Sequence, residues 1–135
     1  MMEARPTMIA AKPQKLDFPA LRDPRYPVRQ IADQVEPYLR LIVERFHPEK
    51  IILFGSQVSG HPSVDSDVDL LIICPEVTSE REMNRQIRAA FWEISGPRLP
   101  FTLLTKTPRF IEERLAEGSA FYHDILNQGV VVYAA

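Results

Sequence analysis

The sequence predicts a mixed α and β fold, in the α/β (α+β) class, with a small mixed sheet of about four strands and helices packed against it. Two observations carry this. Short, wholly apolar runs alternate with stretches whose apolar residues recur at helical spacing, and glycine or proline stands at most of the junctions. The length sets the scale: 135 residues, 45% apolar and 25% charged, suit one domain with a core of its own.

Residues 1–27 carry five of the twelve prolines, and their apolar residues are sparse and aperiodic. They read as an extended arm outside the core, which leaves 28–135 as the folded domain. From Val35 the pattern changes. Val35, Leu39, Ile42, Val43 and Phe46 mark one face of a helix, with Pro37 near its first turn and His47-Pro48 ending it. Ile51-Ile52-Leu53-Phe54 reads as a buried strand, broken by Gly55-Ser56. After a loop holding Gly60 and Pro62, Asp67 to Cys74 begins with alternation and ends apolar throughout, as a strand covered on both faces does.

Ser79 is placed as the N-cap of a second helix, with Glu80 and Glu82 in its first turn. Met83, Ile87, Ala90, Phe91 and Ile94 form its apolar face, and Gly96-Pro97 stops it. Phe101 to Thr105 reads as a third strand. Pro108–Glu117 and Ala120–Gln128 read as two short helices parted by Gly118, and Val130 to Tyr133 as a last strand.

Charge and composition exclude several classes. The net charge of -2 argues against general nucleic-acid binding, which needs a basic face to displace phosphate counterions. One cysteine, Cys74, builds neither a disulfide framework nor a cysteine metal cluster within one chain, and it reads as a buried core residue. The sequence has no apolar run of membrane-spanning length and no signal-peptide pattern at its N-terminus. The expectation is a cytoplasmic protein with no membrane partner.

Residues 51–80 hold Asp65, Asp67, Asp69, Glu76 and Glu80 and no Lys or Arg. An acidic run of this kind can be a solvated loop, but its position suggests more. On a strand, residues i and i+2 share a face, so Asp67 and Asp69 point the same way, roughly 7 Å apart. Oxygen donors at that spacing suit a hard cation such as Mg²⁺. A short helical turn starting at Ser56 would place its amides and hydroxyl beside them, where Gly55 lets backbone approach closely. A calcium loop is the competing reading of Asp65, Asp67, Asp69 and Glu76, at positions 1, 3, 5 and 12, but the required glycine at position 6 is Leu70.

Phe54-Gly55-Ser56, a gap, and Ser66-Asp67-Val68-Asp69-Leu70 together resemble the signature of the polymerase-β-like nucleotidyltransferases. More closely they resemble its small, stand-alone minimal nucleotidyltransferases, over roughly residues 35–133. The resemblance implies that fold. It also implies Mg²⁺-dependent transfer of a nucleoside monophosphate from a nucleoside triphosphate, ATP being the expected one, to a protein or other hydroxyl acceptor. Gly55 and Ser56 would hold the triphosphate, and Asp67 and Asp69 would be the catalytic metal ligands. It further implies a HEPN-domain partner in a toxin–antitoxin pair, with this chain as the antitoxin; a homo-oligomer is the other assembly considered.

Two positions depart from the pattern. Thr102 stands where such proteins place a third carboxylate, and Ser59 where a basic residue often stands. The alternative function is therefore a catalytically impaired module that binds a nucleotide or a partner. Asp65 is a substitute ligand or a solvated loop residue. His61 is an exposed loop residue or a phosphate contact, whereas His47 and His123 read as structural. Trp92 edges the core or faces a partner. Arg81, Arg85 and Arg88 form either a solvated face or a docking strip for an acidic partner.

Overall fold

A computed structural model describes residues 16–62 and 66–135. Its sheet has four strands: β1 (Lys50–Phe54), β2 (Val68–Ile73), β3 (Phe101–Lys106) and β4 (Val130–Ala134), in the order β3-β2-β1-β4. β1 runs antiparallel to both β2 and β4, whereas β2 and β3 are parallel. The helices are α1 (Ala32–Phe46), α2 (Ser56–Ser59), α3 (Glu80–Phe91), α4 (Pro108–Ala116) and α5 (Ala120–Gln128). The expected mixed α+β architecture is the one observed.

Strand alternation sorts the core into two layers. Val68, Leu70 and Ile72 of β2 join Leu39 and Ile42 of α1 and Ile87 and Phe91 of α3. Leu71 and Ile73 face the other way, onto Ile111 of α4 and Tyr122 and Ile125 of α5. β2 is thus covered on both faces, which explains its unbroken apolar run. α1 ends as its sequence suggests, with His47 in the left-handed region (φ 50°) and its N–H donating to Val43 O at 3.2 Å. Pro37 lies within α1, one turn beyond its start. Ser79 caps α3 by accepting from the Glu82 amide at 3.2 Å.

The outer edge of β3 is covered by polar side chains of α3. Arg88 donates to Phe101 O at 2.9 Å, Asn84 to Leu103 O at 3.2 Å, and the Thr105 amide donates to Glu80 Oε2 at 2.9 Å. A bare strand edge is a pairing hazard, and these bonds occupy it. Arg85 pairs with Glu82 on its own helix at 2.6 Å. Two of the three arginines of the strip thereby have structural partners.

The N-terminal arm behaves differently from expectation where it is described. Residues 16–27 are not outside the core: Phe18 and Leu21 are fully buried, as is Val28 just beyond. They are carried by two 3-10 turns, Pro19–Arg22 and Pro27–Ile31, each opened by a proline whose fixed φ suits a first helical position. Phe18 meets the Tyr133 ring of β4, with centroids 6.5 Å apart. Ion pairs fasten the segment to α1. Arg22 reaches Asp33 at 2.6 Å and Glu36 at 2.7 Å, and Arg40 holds Glu36 at 2.5 Å while donating to Leu16 O at 3.2 Å. The two guanidinium groups hold the Glu36 carboxyl below its usual range. The expectation failed because apolar periodicity detects regular helices and strands, and this segment buries single side chains from irregular turns. The rest of the arm, 1–15, lies outside the described residues.

Candidate active site

The site is built where β1 ends and β2 begins. Antiparallel pairing sets Phe54 opposite Asp69, and parallel pairing sets Asp69 beside Thr102. Asp69 belongs to the same strand face as Leu71 and Ile73 but lies beyond the cover of α4 and α5, so a polar residue is tolerated there. Asp67 precedes β2, and the next amide, Val68 N–H, donates to Pro100 O at 2.8 Å. This bond ties the approach to β2 to the approach to β3.

Gly55 is required twice over. Its φ of +80° lies in the region that side chains avoid, and a Cβ there would overlap Asp69 Oδ2. The carboxylate therefore rests directly on the Gly55 backbone. α2 follows at once. Val58 and Ser59 amides both donate to Gly55 O, at 3.0 and 3.1 Å, which closes the turn onto the end of β1. Gly60 ends it, pressed against Ser56 so closely that a Cβ would stand 2.8 Å from Ser56 Cα.

Asp67, Asp69, Gly55, Ser56 and Thr102 are thus neighbours around one corner of the sheet. Thr102 Oγ1 donates to Asp67 Oδ2 at 2.7 Å. Asp67 is exposed and Asp69 is half-buried. Burial pushes the Asp69 carboxyl above its usual range, the Thr102 hydroxyl opposes that shift, and the Asp67 charge adds to it. Among the described residues no Lys or Arg forms an ion pair with either aspartate. Two crowded carboxylates and a hydroxyl, with no cation paired to them, are a hard-oxygen donor set that fits a divalent metal. Among the described residues no group of three or more His, Cys, Asp or Glu side chains is assembled for a metal. Asp65 lies outside the described residues. Glu76 follows β2 by three residues, and the strand occupies the positions that a calcium loop would need.

A small apolar cavity of about 150 Å³ adjoins the corner, between Phe54 and Gly55 on one side and Phe121, Asp124, Ile125 and Gln128 of α5 on the other. The sequence reading missed it. The available signal was the i, i+3, i+4, i+7 spacing of those four residues, which puts two polar groups on the apolar face of α5. His61 is exposed, beside the end of α2. His123, on α5, is within 3.3 Å of Leu115 O, a structural contact. Cys74 is buried, and that burial raises its thiol. Trp92 is 74% exposed, with the Arg98 guanidinium 4.5 Å from its ring centre.

Strand order and this corner define an α+β protein of the nucleotidyltransferase kind. A family model described as "Nucleotidyltransferase domain" matches residues 37–126, and the chain belongs to that family. Nucleotidyl transfer is the general activity of such domains, which use a nucleoside triphosphate and a divalent metal. No curated protein matches the chain. Among the described residues no helix is long and apolar enough to cross a membrane.

Proposed function

We propose that the protein is a cytoplasmic, Mg²⁺-dependent nucleotidyltransferase that moves a nucleoside monophosphate from ATP to a hydroxyl on a protein or other acceptor. The observation that carries this is the seating of Asp69 on the side-chain-free backbone of Gly55, with Asp67 beside it and the Ser56 turn adjoining. In this reading Asp67 and Asp69 are the metal ligands, and Gly55 and Ser56 contact the triphosphate. Bound Mg²⁺ would neutralise phosphate charge and polarise the phosphoryl group. The acceptor oxygen forms a bond to the α-phosphorus, the bond to the β-phosphate bridge breaks, pyrophosphate leaves, and the acceptor proton passes to water or a carboxylate. Gly55 lets the phosphate chain approach the backbone, while β2 holds Asp69 at a fixed height. The family resemblance supports an acceptor on a HEPN-domain partner, with this chain as the antitoxin. A homo-oligomer is the competing assembly.

Calorimetric titration tests the site. ATP binding is expected to require Mg²⁺ and to be lost in Asp67→Asn/Asp69→Asn without loss of folding; unchanged affinity in that variant removes the assignment. Intact-mass analysis of the co-purified partner after incubation with ATP and Mg²⁺ tests transfer, which adds one nucleoside monophosphate to the acceptor.

One observation favours a second reading, a module that binds without turnover. Thr102 offers Asp67 a hydroxyl donor where a third carboxylate would offer a proton acceptor. Thr102→Asp separates the two. A general base contributes about 10²–10⁴-fold, so a site that lacks one gains transfer by that order in the variant. Rapid transfer by the native protein and no gain in the variant would dismiss the second reading.

A further inference from the structure

Residues 51–80, which contain α2, have no Lys or Arg. The segment packed on α2 has the opposite character. The 3-10 turn Pro27–Ile31 lies against α2, and Arg25, Tyr26, Arg29 and Gln30 of this segment face Gly60 and His61 across a cavity of about 350 Å³. No acidic side chain lines it among the described residues. Arg25 is ion-paired to Asp23 at 2.7 Å through Nη2, while Arg29 has no acidic partner among the described residues. The side chains around this space that carry donors are two guanidinium groups, a phenol, an imidazole and an amide.

We infer that this cavity binds a polyphosphate chain, and that in the working protein the chain is the outer part of the nucleoside triphosphate. The assignment to the nucleotide rests on the function proposed above; the polyphosphate chemistry rests on the cavity. Guanidinium forks and an imidazole suit phosphate oxygens, which accept several charge-assisted bonds at once. The cavity is local, and the overall charge of -2 does not suit an extended nucleic-acid groove. Gly55 with Asp69 stands at one end of α2, and Gly60 with His61 stands at the other. Four helical residues rise only ~6 Å, a length that a phosphate chain spans. The close packing of Gly60 on Ser56 keeps the two ends in fixed relation. The acidic corner would then hold the reacting phosphate through metal, while the N-terminal segment supplies the positive charge that residues 51–80 lack.

The test is calorimetry on the full chain with sodium tripolyphosphate, pyrophosphate and AMP in the absence of metal, followed by ATP with Mg²⁺. The native protein is expected to bind tripolyphosphate more tightly than pyrophosphate, and AMP not measurably. Arg29→Ala is expected to weaken tripolyphosphate about tenfold, Arg25→Ala/Arg29→Ala further, and Arg29→Lys less than Arg29→Ala. These side chains are exposed, so Arg29→Ala should leave the melting curve unchanged and the double variant should shift it only slightly, through loss of the Asp23–Arg25 pair. Asp67→Asn/Asp69→Asn should keep metal-free tripolyphosphate binding while losing ATP with Mg²⁺. Failure of the native protein to bind tripolyphosphate, or equal binding by the arginine variants, overturns the cavity assignment and leaves the aspartate site standing. If the arginine variants lose tripolyphosphate but keep full affinity for ATP with Mg²⁺, the assignment to the nucleotide is overturned. If ATP binding survives the aspartate changes but falls with the arginines, the cavity is supported and the metal assignment fails.

Discussion

The Ser56–Ser59 turn is where two differently made regions meet. On one side lies the sheet corner where β1 ends and β2 begins, apolar and acidic, whose geometry follows from strand pairing. On the other lies the segment 16–31, proline-rich and cationic, which is anchored by isolated buried side chains and holds no strand. The corner fixes where two carboxylates stand. The segment fixes where arginines stand, and it does so without periodic structure. In the proposed reading, a nucleotide site with opposite charges at its two ends is divided between a rigid sheet and an irregular N-terminal strap.

The strap's dependence on single anchors gives the largest expected effect. Phe18 is fully buried between Tyr133 and the Arg40 guanidinium, which lies 6.0 Å from its ring centre. Phe18→Ala is expected to cost ~3–5 kcal/mol of unfolding free energy, as large aromatic truncations do. Urea unfolding measures it. A loss below ~1 kcal/mol would show that the strap docks without contributing to the core, and the contrast with the corner would then deepen into two separable units.

How legible the chain is differs between the same two regions. The corner could be read because its information is local. The parity of Asp67 and Asp69, the break at Gly55 and the apolar run after Asp69 each depend on neighbours within a few residues. The bond from Thr102 to Asp67 was less accessible, because it depends on the parallel register of β2 and β3, which pairs Asp69 with Thr102 across a crossover. The strap was not legible. Phe18, Leu21 and Val28 are few and are separated by Pro19, Pro24 and Pro27, and their burial depends on what α1 and β4 offer them. Prolines that suggest an unstructured arm in fact open its two turns.

The corner should be the more brittle of the two in geometry. Gly55→Ala introduces a Cβ where Asp69 Oδ2 now rests, at a φ of +80°. The expected cost is ~1–3 kcal/mol of stability, from backbone strain and from displacement of the carboxylate. Mg²⁺-dependent ATP affinity should fall with it, while metal-free tripolyphosphate binding, assigned to the strap side, should fall less. Equal losses of both ligands would mean that the two ends of the turn move as one body. An unchanged melting curve together with full ATP affinity would show that Asp69 has room to withdraw, contrary to the close seating observed.

The smallest effect concerns the ion pair that shapes the strap around Arg25. Asp23 accepts from the Arg25 guanidinium and from the Arg25 amide, at 2.7 and 2.9 Å, and these bonds pull its carboxyl from 3.8 down to about 2. A depressed carboxyl binds fewer protons in the folded than in the unfolded chain. Its contribution to stability is therefore complete above a pH of about 4, and it is lost as the pH falls through about 2. The pair is solvent-exposed, so the shift in melting temperature should be slight. Asp23→Asn isolates it: the difference in melting temperature between native and variant should be constant above a pH of about 4 and shrink towards zero on acidification. Glu82, held by Arg85 and drawn from 4.5 to about 2, is the matching exposed pair on α3, remote in sequence from the strap. Glu82→Gln should show the same acid-side loss of stability and leave tripolyphosphate affinity unchanged. Asp23→Asn should alter that affinity, because it frees the Arg25 guanidinium at the cavity wall. Identical ligand behaviour in the two variants would mean that Arg25 takes no part in the cavity and that Arg29 carries its charge alone.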